Sequence, residues 1–187
     1  EKLGGRNIFL IGMMGSGKSQ AGPFLAKMIN YAFVDTDDVI EKASRQSVSS
    51  IFEENGEKVF RGIEKQVLRE ISQHHSLVIA TGGGVVTLPE NWGILHQGIV
   101  IWLDLDLKRS IKRLTTDKKN RPLLTGDNLA ENFTKIYESR KSIYSESDLR
   151  IKVEDQSPYE VATIITERLP SILIDPETQD GQHTTEL

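Results

Sequence analysis

A glycine-rich segment, residues 12–19, directly follows the apolar run Ile8–Ile11 and matches the pattern G-x-x-x-x-G-K-S/T. Glycines let the backbone curl so that successive N–H groups point inward at a phosphate. In this pattern Lys18 reaches the terminal phosphates, Ser19 offers its hydroxyl to Mg²⁺, and a helix starting near Lys18 adds its positive end. An ordinary glycine-rich turn is the alternative. The segment favours binding of a nucleoside triphosphate with Mg²⁺.

The composition is that of a globular protein with a core of its own. The chain has 187 residues, of which 37% are hydrophobic and 27% charged, and its net charge is −4. This charge does not suggest nucleic acid or an anionic membrane as partner. No stretch approaches the roughly 18 apolar residues that a membrane span needs. Because cysteine is absent, disulfides, thiolate metal sites and a cysteine nucleophile are excluded, and the four histidines lack metal-binding spacing.

Short apolar runs alternate with helix-like segments along the chain. The expected strands are Ile8–Ile11, 32–34, Leu77–Ala80, 99–103 and Leu149–Val153, the last with the alternation of an edge strand. An amphipathic helix is expected over 57–72, and capping-box patterns begin at Thr87 and Ser157. This rhythm predicts a three-layer α/β/α fold around a central five-stranded parallel sheet. We expect residues 1–170 to form one domain and 171–187 a disordered tail.

Ligands of parallel sheets bind beyond the carboxyl ends of the strands, where Asp35 and Asp37 follow the second expected strand. One carboxylate there suits Mg²⁺ held through water, and another suits a base that accepts a proton from an attacking hydroxyl. A turn followed by a helix N-cap is the alternative, since Asp favours both, and for Asp38 it is the preferred interpretation. For Asp35 and Asp37 we favour a functional role.

Two further patterns have both a structural and a functional interpretation. Arg61 and Glu64 are neighbours on a helix. They form either a solvated surface ion pair, or a pair in which Glu64 holds Arg61 in place to bind a substrate carboxylate. The run Gly82 to Gly84 after the third strand is either a flexible connection or a close approach of backbone to ligand.

The segment 108–121 is strongly basic in an otherwise acidic chain. Much of it suits a solvated helix face, but about 115–126 lacks apolar periodicity and contains Arg121 followed by proline. This stretch could form a mobile lid that brings an arginine onto the triphosphate and excludes water. Arg140, on the next helix, is a second candidate for binding an anion.

Taken together, the patterns resemble the shikimate kinase family, within the P-loop proteins similar to nucleoside-monophosphate kinases. The resemblance covers about residues 6–168. It is carried by Gly12 to Ser19, Asp35-Thr-Asp37, Phe60-Arg61-x-x-Glu64, Gly82-Gly-Gly84, Arg121-Pro-Leu-Leu124 and Tyr137-x-x-Arg140.

The resemblance implies roles that spacing alone left open. It implies Lys18, Asp37 and Arg121 as catalytic residues, with Asp37 as the base. ATP contacts are implied for Gly12, Gly15, Ser16, Gly17, Lys18, Ser19, Gln20, Arg113, Arg121 and Gln156. Shikimate contacts are implied for Asp37, Arg61, Glu64, Gly82, Gly83, Gly84 and Arg140. Mg²⁺ is expected on Ser19 directly and on Asp35 through water.

The family resemblance implies transfer of the γ-phosphoryl group of ATP to the 3-hydroxyl of shikimate, in the biosynthesis of aromatic amino acids. Two features depart from it: Gln20 stands where Ser or Thr usually follows, and the third strand ends in Ala80 without an acid. Rival interpretations are a gluconate or nucleotide kinase and a binding protein without turnover. We expect a monomer in the cytoplasm, or in the plastid stroma if a transit peptide has been removed.

Overall fold

The computed structural model of the chain describes residues 3–116 and 128–173. Within them, strands and helices alternate. The strands are β1 (Ile8–Ile11), β2 (Ala32–Asp35), β3 (Leu77–Ala80), β4 (Ile99–Leu105) and β5 (Leu149–Val153). The helices are α1 (Lys18–Ile29), α2 (Thr36–Ser44), α3 (Val48–Ser72), α4 (Pro89–Leu95), α5 (Leu107–Thr116), α6 (Leu129–Tyr144) and α7 (Pro158–Arg168). Short 3₁₀ helices cover Val85–Thr87 and Leu169–Ile172.

The five strands form one parallel sheet in the order β2-β3-β1-β4-β5. The first strand lies at its centre, where Ile8 pairs with Val78 on one side and Ile99 on the other. The fifth strand lies at an edge and alternates buried with exposed side chains, as its pattern predicted. Because all strands run the same way, the loops after β1, β2 and β3 meet at one end of the sheet.

Helices cover both faces of the sheet. Ile8 and Leu10 of β1 pack into a core with residues of α1 and α7. Phe9 and Ile11, which point the opposite way, pack into a second core with residues of α2 to α6. The predicted three-layer α/β/α architecture is therefore confirmed. Among the residues described, no helix combines the length and apolar character that crossing a bilayer requires.

Helix α1 packs unusually close to the sheet at Gly22. A Cβ atom at this position would overlap the aromatic ring of Phe33 on β2. The helix ends at Ile29, and the left-handed backbone of its C-cap Asn30 (φ 57°) turns the chain so that the N–H of Tyr31 donates to the carbonyl oxygen of Ala26 at 2.8 Å. The close packing fixes the helix that begins at Lys18 against the strand that ends at Asp35.

The amphipathic helix predicted over 57–72 is present as the second part of α3. A kink at Gly56 (φ 80°, ψ 169°) separates it from a first part that begins at Val48 and was not predicted. The capping box predicted at Thr87 is wrong: Thr87 lies in a 3₁₀ turn and its hydroxyl donates to the Gly84 carbonyl at 2.7 Å. By contrast, the predicted capping box between Ser157 and Glu160 is present.

Candidate active site

The glycine-rich loop between β1 and α1 adopts a backbone that few other residues allow. Gly12, Gly15 and Gly17 have φ values of 140°, 79° and 94°. At Gly12 a Cβ atom would also lie 2.5 Å from the carbonyl oxygen of Leu103 on β4. Glycine is therefore required both for the left-handed turns and for the fit of the loop against the neighbouring strand.

Lys18 lies inside this loop rather than in solvent. Its side chain is buried, and its Nζ donates to the carbonyl oxygens of Gly12 at 2.8 Å and Met13 at 3.0 Å. It also donates to the hydroxyl of Ser16 at 3.3 Å. The ammonium group thus stabilises the curled loop and places a positive charge where the loop amides converge. This arrangement is suited to binding phosphate oxygens.

Ser19 and Asp35 place two oxygen atoms next to each other at the ends of α1 and β2. The Ser19 hydroxyl donates to Asp35 Oδ2 at 2.5 Å, while Oδ1 accepts from the backbone N–H of Asp37 at 3.0 Å. Asp35 therefore serves as the N-cap of α2 and still presents one oxygen toward Ser19. Both interpretations of this carboxylate, cap and possible metal ligand, are compatible with the geometry.

Asp37, in the first turn of α2, has a carboxylate in a strongly perturbed environment. Its Oδ1 atom is buried without a hydrogen-bond partner among the described residues. Burial above all, together with the charges of Asp35 and Glu64, raises the pKa of Asp37 to about 6 against the opposing charge of Lys18. A carboxyl group with this pKa is ionised near neutral pH and has a stronger drive to accept a proton than an ordinary aspartate.

Arg61 and Glu64 form a buried ion pair, which excludes the solvated surface pair. Arg61 Nη1 donates to Glu64 Oε2 at 2.7 Å, and both side chains are less than a tenth exposed. The guanidinium also lies 5.3 Å from the ring centroid of Phe60 and bonds Glu57. Burial raises the pKa of Glu64, and the charge of Arg61 opposes this effect. Glu64 holds the arginine in one orientation, at one wall of a crevice.

The three glycines after β3 lie where side chains from other elements come closest. A Cβ at Gly82 would lie 2.5 Å from Glu64 Oε1, and a Cβ at Gly84 would overlap the guanidinium of Arg61. At Gly83 it would lie 3.3 Å from the backbone nitrogen of Met14 in the glycine-rich loop. Close approach, rather than flexibility, therefore explains this run of glycines.

Helix α6 brings a second arginine to the same wall. Arg140 is buried, and its Nη1 donates to the carbonyl oxygen of Gly83 at 3.1 Å. Tyr144, one helical turn later, donates to the same oxygen at 2.5 Å. Tyr144 was not predicted as a site residue. Its spacing of four residues from Arg140, which places both on one helix face, was the available signal.

These elements enclose one crevice of about 1250 Å³ at the carboxyl end of the sheet. The predicted site residues that line it are Gly15, Gly17, Lys18, Ser19, Gln20, Asp35, Asp37, Arg61, Glu64, Gly82, Gly83, Gly84, Arg113 and Arg140. The glycine-rich loop and both arginines thus face a shared space. Phe52, Phe60 and Met14 also line it and were not predicted as site residues.

The remaining predicted residues lie elsewhere. Gly12 and Ser16 are buried in the loop behind the wall of the crevice. Gln156 accepts from the backbone N–H of Glu154 at 2.7 Å, and the carbonyl of Glu154 accepts from Arg113 at 3.4 Å. Gln156 therefore lies near the Arg113 end of the crevice without lining it. Arg121 and most of the predicted lid lie outside the described residues.

Comparison with known proteins identifies the family. The sequence model of the shikimate kinase family matches residues 14–170. A shikimate kinase of Prochlorococcus marinus (strain NATL2A) is 83% identical over 187 residues, covering all of this chain and 94% of that relative. The chain belongs to the shikimate kinase family. The kinase activity class predicted from the sequence is confirmed with it.

Solved structures agree with this placement in the shikimate kinase family. The shikimate kinase of Acinetobacter baumannii, solved in complex with shikimate, superposes with a TM-score of 0.86 at 33% identity, over 90% of this chain and 95% of that one. A deoxyadenosine kinase of M. mycoides superposes with a TM-score of 0.56 at 16% identity, over 88% and 99%. The second likeness concerns the fold alone, and it fits the predicted P-loop kinase architecture.

Proposed function

We propose that this protein transfers the γ-phosphoryl group of ATP to the 3-hydroxyl of shikimate. The observation that carries the proposal is the shared crevice, in which the glycine-rich loop with Lys18 faces Arg61 and Arg140, and Asp37 lies among them. The bound shikimate of the Acinetobacter baumannii relative supports the choice of acceptor. A phosphate-binding loop and a carboxylate-binding pair on one crevice are what a kinase for a small carboxylic acid needs.

Arg61 and Arg140 bind the shikimate carboxylate in this proposal. Each guanidinium presents planar N–H donors that match a carboxylate, and each is already anchored, Arg61 by Glu64 and Arg140 by the Gly83 carbonyl. Anchoring reduces the loss of side-chain freedom on binding. Two fixed donors on one carboxylate also orient the ring and thereby select which hydroxyl faces the phosphates.

Lys18 and the loop amides bind the phosphates of ATP, and Ser19 with Asp35 holds Mg²⁺. Their oxygen atoms suit this hard cation, which retains several waters and binds one or two carboxylates together with substrate phosphates. Within the described residues no group of three or more acidic, His or Cys side chains could hold a metal alone. This fits a cation that arrives with ATP. When bound, Mg²⁺ neutralises charge on the transferring phosphates.

Asp37 accepts the proton of the attacking hydroxyl while the ring is held in line with the γ-phosphate. Its raised pKa makes it a better base than an ordinary aspartate near neutral pH. Arg121 neutralises charge on the transferring group and Arg113 contacts the nucleotide, as the family resemblance implies. Positioning and charge neutralisation, rather than a covalent intermediate, supply the rate acceleration.

The acceptor is open to a direct test. ADP release is measured with ATP, Mg²⁺ and shikimate, gluconate or a nucleoside monophosphate as acceptor, and we expect turnover with shikimate alone. Lys18→Ala should lower kcat by more than about 100-fold, because the loop loses its charge on the phosphates. Exposed Lys27→Ala on the same helix is the matched control. Turnover of another acceptor contradicts the proposal. So does a protein that binds the nucleotide but turns over none of the three acceptors. A cytoplasmic monomer remains our expectation.

A further inference from the structure

Tyr144 is a buried tyrosine at the junction of the two halves of the crevice. Its side chain is fully buried, and its ring stacks on Trp102 of β4 with centroids 5.7 Å apart. Its hydroxyl donates to the Gly83 carbonyl at 2.5 Å and lies 3.6 Å from Met13 Sδ. The ring thus has a packing role, while the hydroxyl contacts both the glycine run and the phosphate-binding loop.

The Gly83 carbonyl oxygen accepts from two donors on α6. Tyr144 supplies one and Arg140 Nη1, at 3.1 Å, supplies the other, so both lone pairs of the oxygen are used. A guanidinium is planar and its five N–H groups have fixed relative directions. Fixing one N–H on Gly83 therefore sets the direction of the rest. The orientation of Arg140 depends on where the Gly83 peptide is held.

The Cα of Gly83 lies close to the phosphate-binding loop. A Cβ at Gly83 would lie 3.3 Å from the backbone nitrogen of Met14 and 3.4 Å from the carbonyl oxygen of Gly12. The Tyr144 hydroxyl contacts the same loop at Met13 Sδ. Gly83 thus lies next to the phosphate-binding loop, and its carbonyl oxygen accepts from an arginine on the opposite side of the crevice.

We propose that the Tyr144 hydroxyl is a positioning group for the acceptor: it fixes the Gly83 carbonyl so that Arg140 presents its remaining N–H groups to the substrate carboxylate. This inference rests on the proposed function. Burial raises the pKa of Tyr144 to about 12, and Arg140 opposes this effect. The hydroxyl therefore stays protonated, and able to donate, throughout the pH range of an enzyme assay.

Tyr144→Phe removes only the hydroxyl and keeps the ring that stacks on Trp102. The KM for shikimate should rise about 5- to 20-fold, the effect of one lost hydrogen bond to a charged network. The KM for ATP should change less than about twofold. Tyr137→Phe is the matched control, because this buried tyrosine lies on the same helix but its hydroxyl contacts Asp104 at 3.5 Å instead of Gly83. It should leave both KM values unchanged.

A second measurement separates positioning from general structural support. In an Arg140→Ala background, Tyr144→Phe should change kcat/KM for shikimate less than about twofold, because no guanidinium remains to be oriented. The same fold-change in both backgrounds, equal rises in the two KM values, or no change in KM overturns the inference. Wild-type turnover of shikimate is measured first, and its absence would count against the proposed function. If the wild-type protein turns over shikimate and Tyr144→Phe has unchanged KM values, the result counts only against this inference.

Discussion

Asp37 and Glu64 direct one carboxylate oxygen each at the same point beside Gly82. Asp37 Oδ1 and Glu64 Oε1 would lie 3.2 and 2.5 Å from a Cβ atom at that position, and neither has a hydrogen-bond partner within the described residues. Two buried acceptors without donors are costly in a free protein. A ligand that carries several hydroxyl groups supplies such donors, which is consistent with the proposed acceptor.

The burial of Asp37 predicts a cost in stability that Asp37→Asn removes. Its folded-state pKa of about 6 exceeds the ordinary value of 3.8, so the folded protein loses stability as pH rises from 3.8 through 6. Asp37→Asn should therefore raise the free energy of unfolding by about 1–3 kcal/mol at pH 7. Urea unfolding at pH 7 and pH 4 measures this, with exposed Asp38→Asn as control. A less stable variant at pH 7 contradicts the prediction.

The same group predicts an acid limb in the pH–rate profile. Protonated Asp37 cannot accept the proton of the attacking hydroxyl, so kcat/KM for shikimate should fall about tenfold per pH unit below about pH 6. Initial rates at constant ionic strength measure the profile. Enzyme at pH 5 should keep the far-ultraviolet circular dichroism spectrum that it has at pH 7.5 and should recover full activity on return to pH 7.5, which excludes unfolding as the cause. A flat profile down to pH 5 would remove Asp37 as the base.

Arg140→Ala should weaken acceptor binding selectively. Loss of a charge-assisted, two-point contact predicts a rise of about 10- to 100-fold in the KM for shikimate, with the KM for ATP within about twofold. Steady-state kinetics with each substrate varied in turn measure the two constants. Lys141→Ala removes an adjacent, exposed cation of the same helix and should change neither. Equal effects on both substrates would indicate a general structural role.

Two glycines near Arg61 predict opposite results. Gly84 has an ordinary backbone (φ −98°), but a Cβ there would overlap the Arg61 guanidinium, so Gly84→Ala should raise the KM for shikimate more than about tenfold. Gly62 lies on α3 with open space around its Cα. Gly62→Ala should preserve activity and stabilise the protein by about 0.5–1 kcal/mol. Kinetics and thermal unfolding of both variants test the pair, and an active Gly84→Ala would contradict the close approach.

The sequence predicted the elements whose signals are local. The strand before Gly12, the helix start at Lys18 and the capping box at Ser157 each depend on residues a few positions apart, and each is present. The capping box predicted at Thr87 is wrong because the Thr87 hydroxyl donates to the Gly84 carbonyl within a 3₁₀ turn and does not cap the next helix. The first part of α3 was not predicted, because Gly56 separates it from the regular apolar pattern of the second part.

Features set by tertiary contact were beyond the sequence. The spacing of Arg61 and Glu64 fits a surface pair and a buried one equally, and only the packing of α3 against the glycine run decides between them. The hydroxyl of Tyr144 likewise meets Gly83, 61 residues away in the chain. Contacts of this kind depend on how helices cover the sheet, which periodicity does not encode.

The close packing of Gly22 on Phe33 makes the geometry of the crevice depend on a residue outside it. A larger residue at position 22 would force either the Phe33 ring or the helix carrying Lys18 and Ser19 to shift, and a shift of the helix would separate the two oxygens proposed to share the cation. Turnover is therefore expected to depend on a residue that does not line the crevice. A screen for inactive yet folded variants should recover substitutions there alongside those in the phosphate-binding loop.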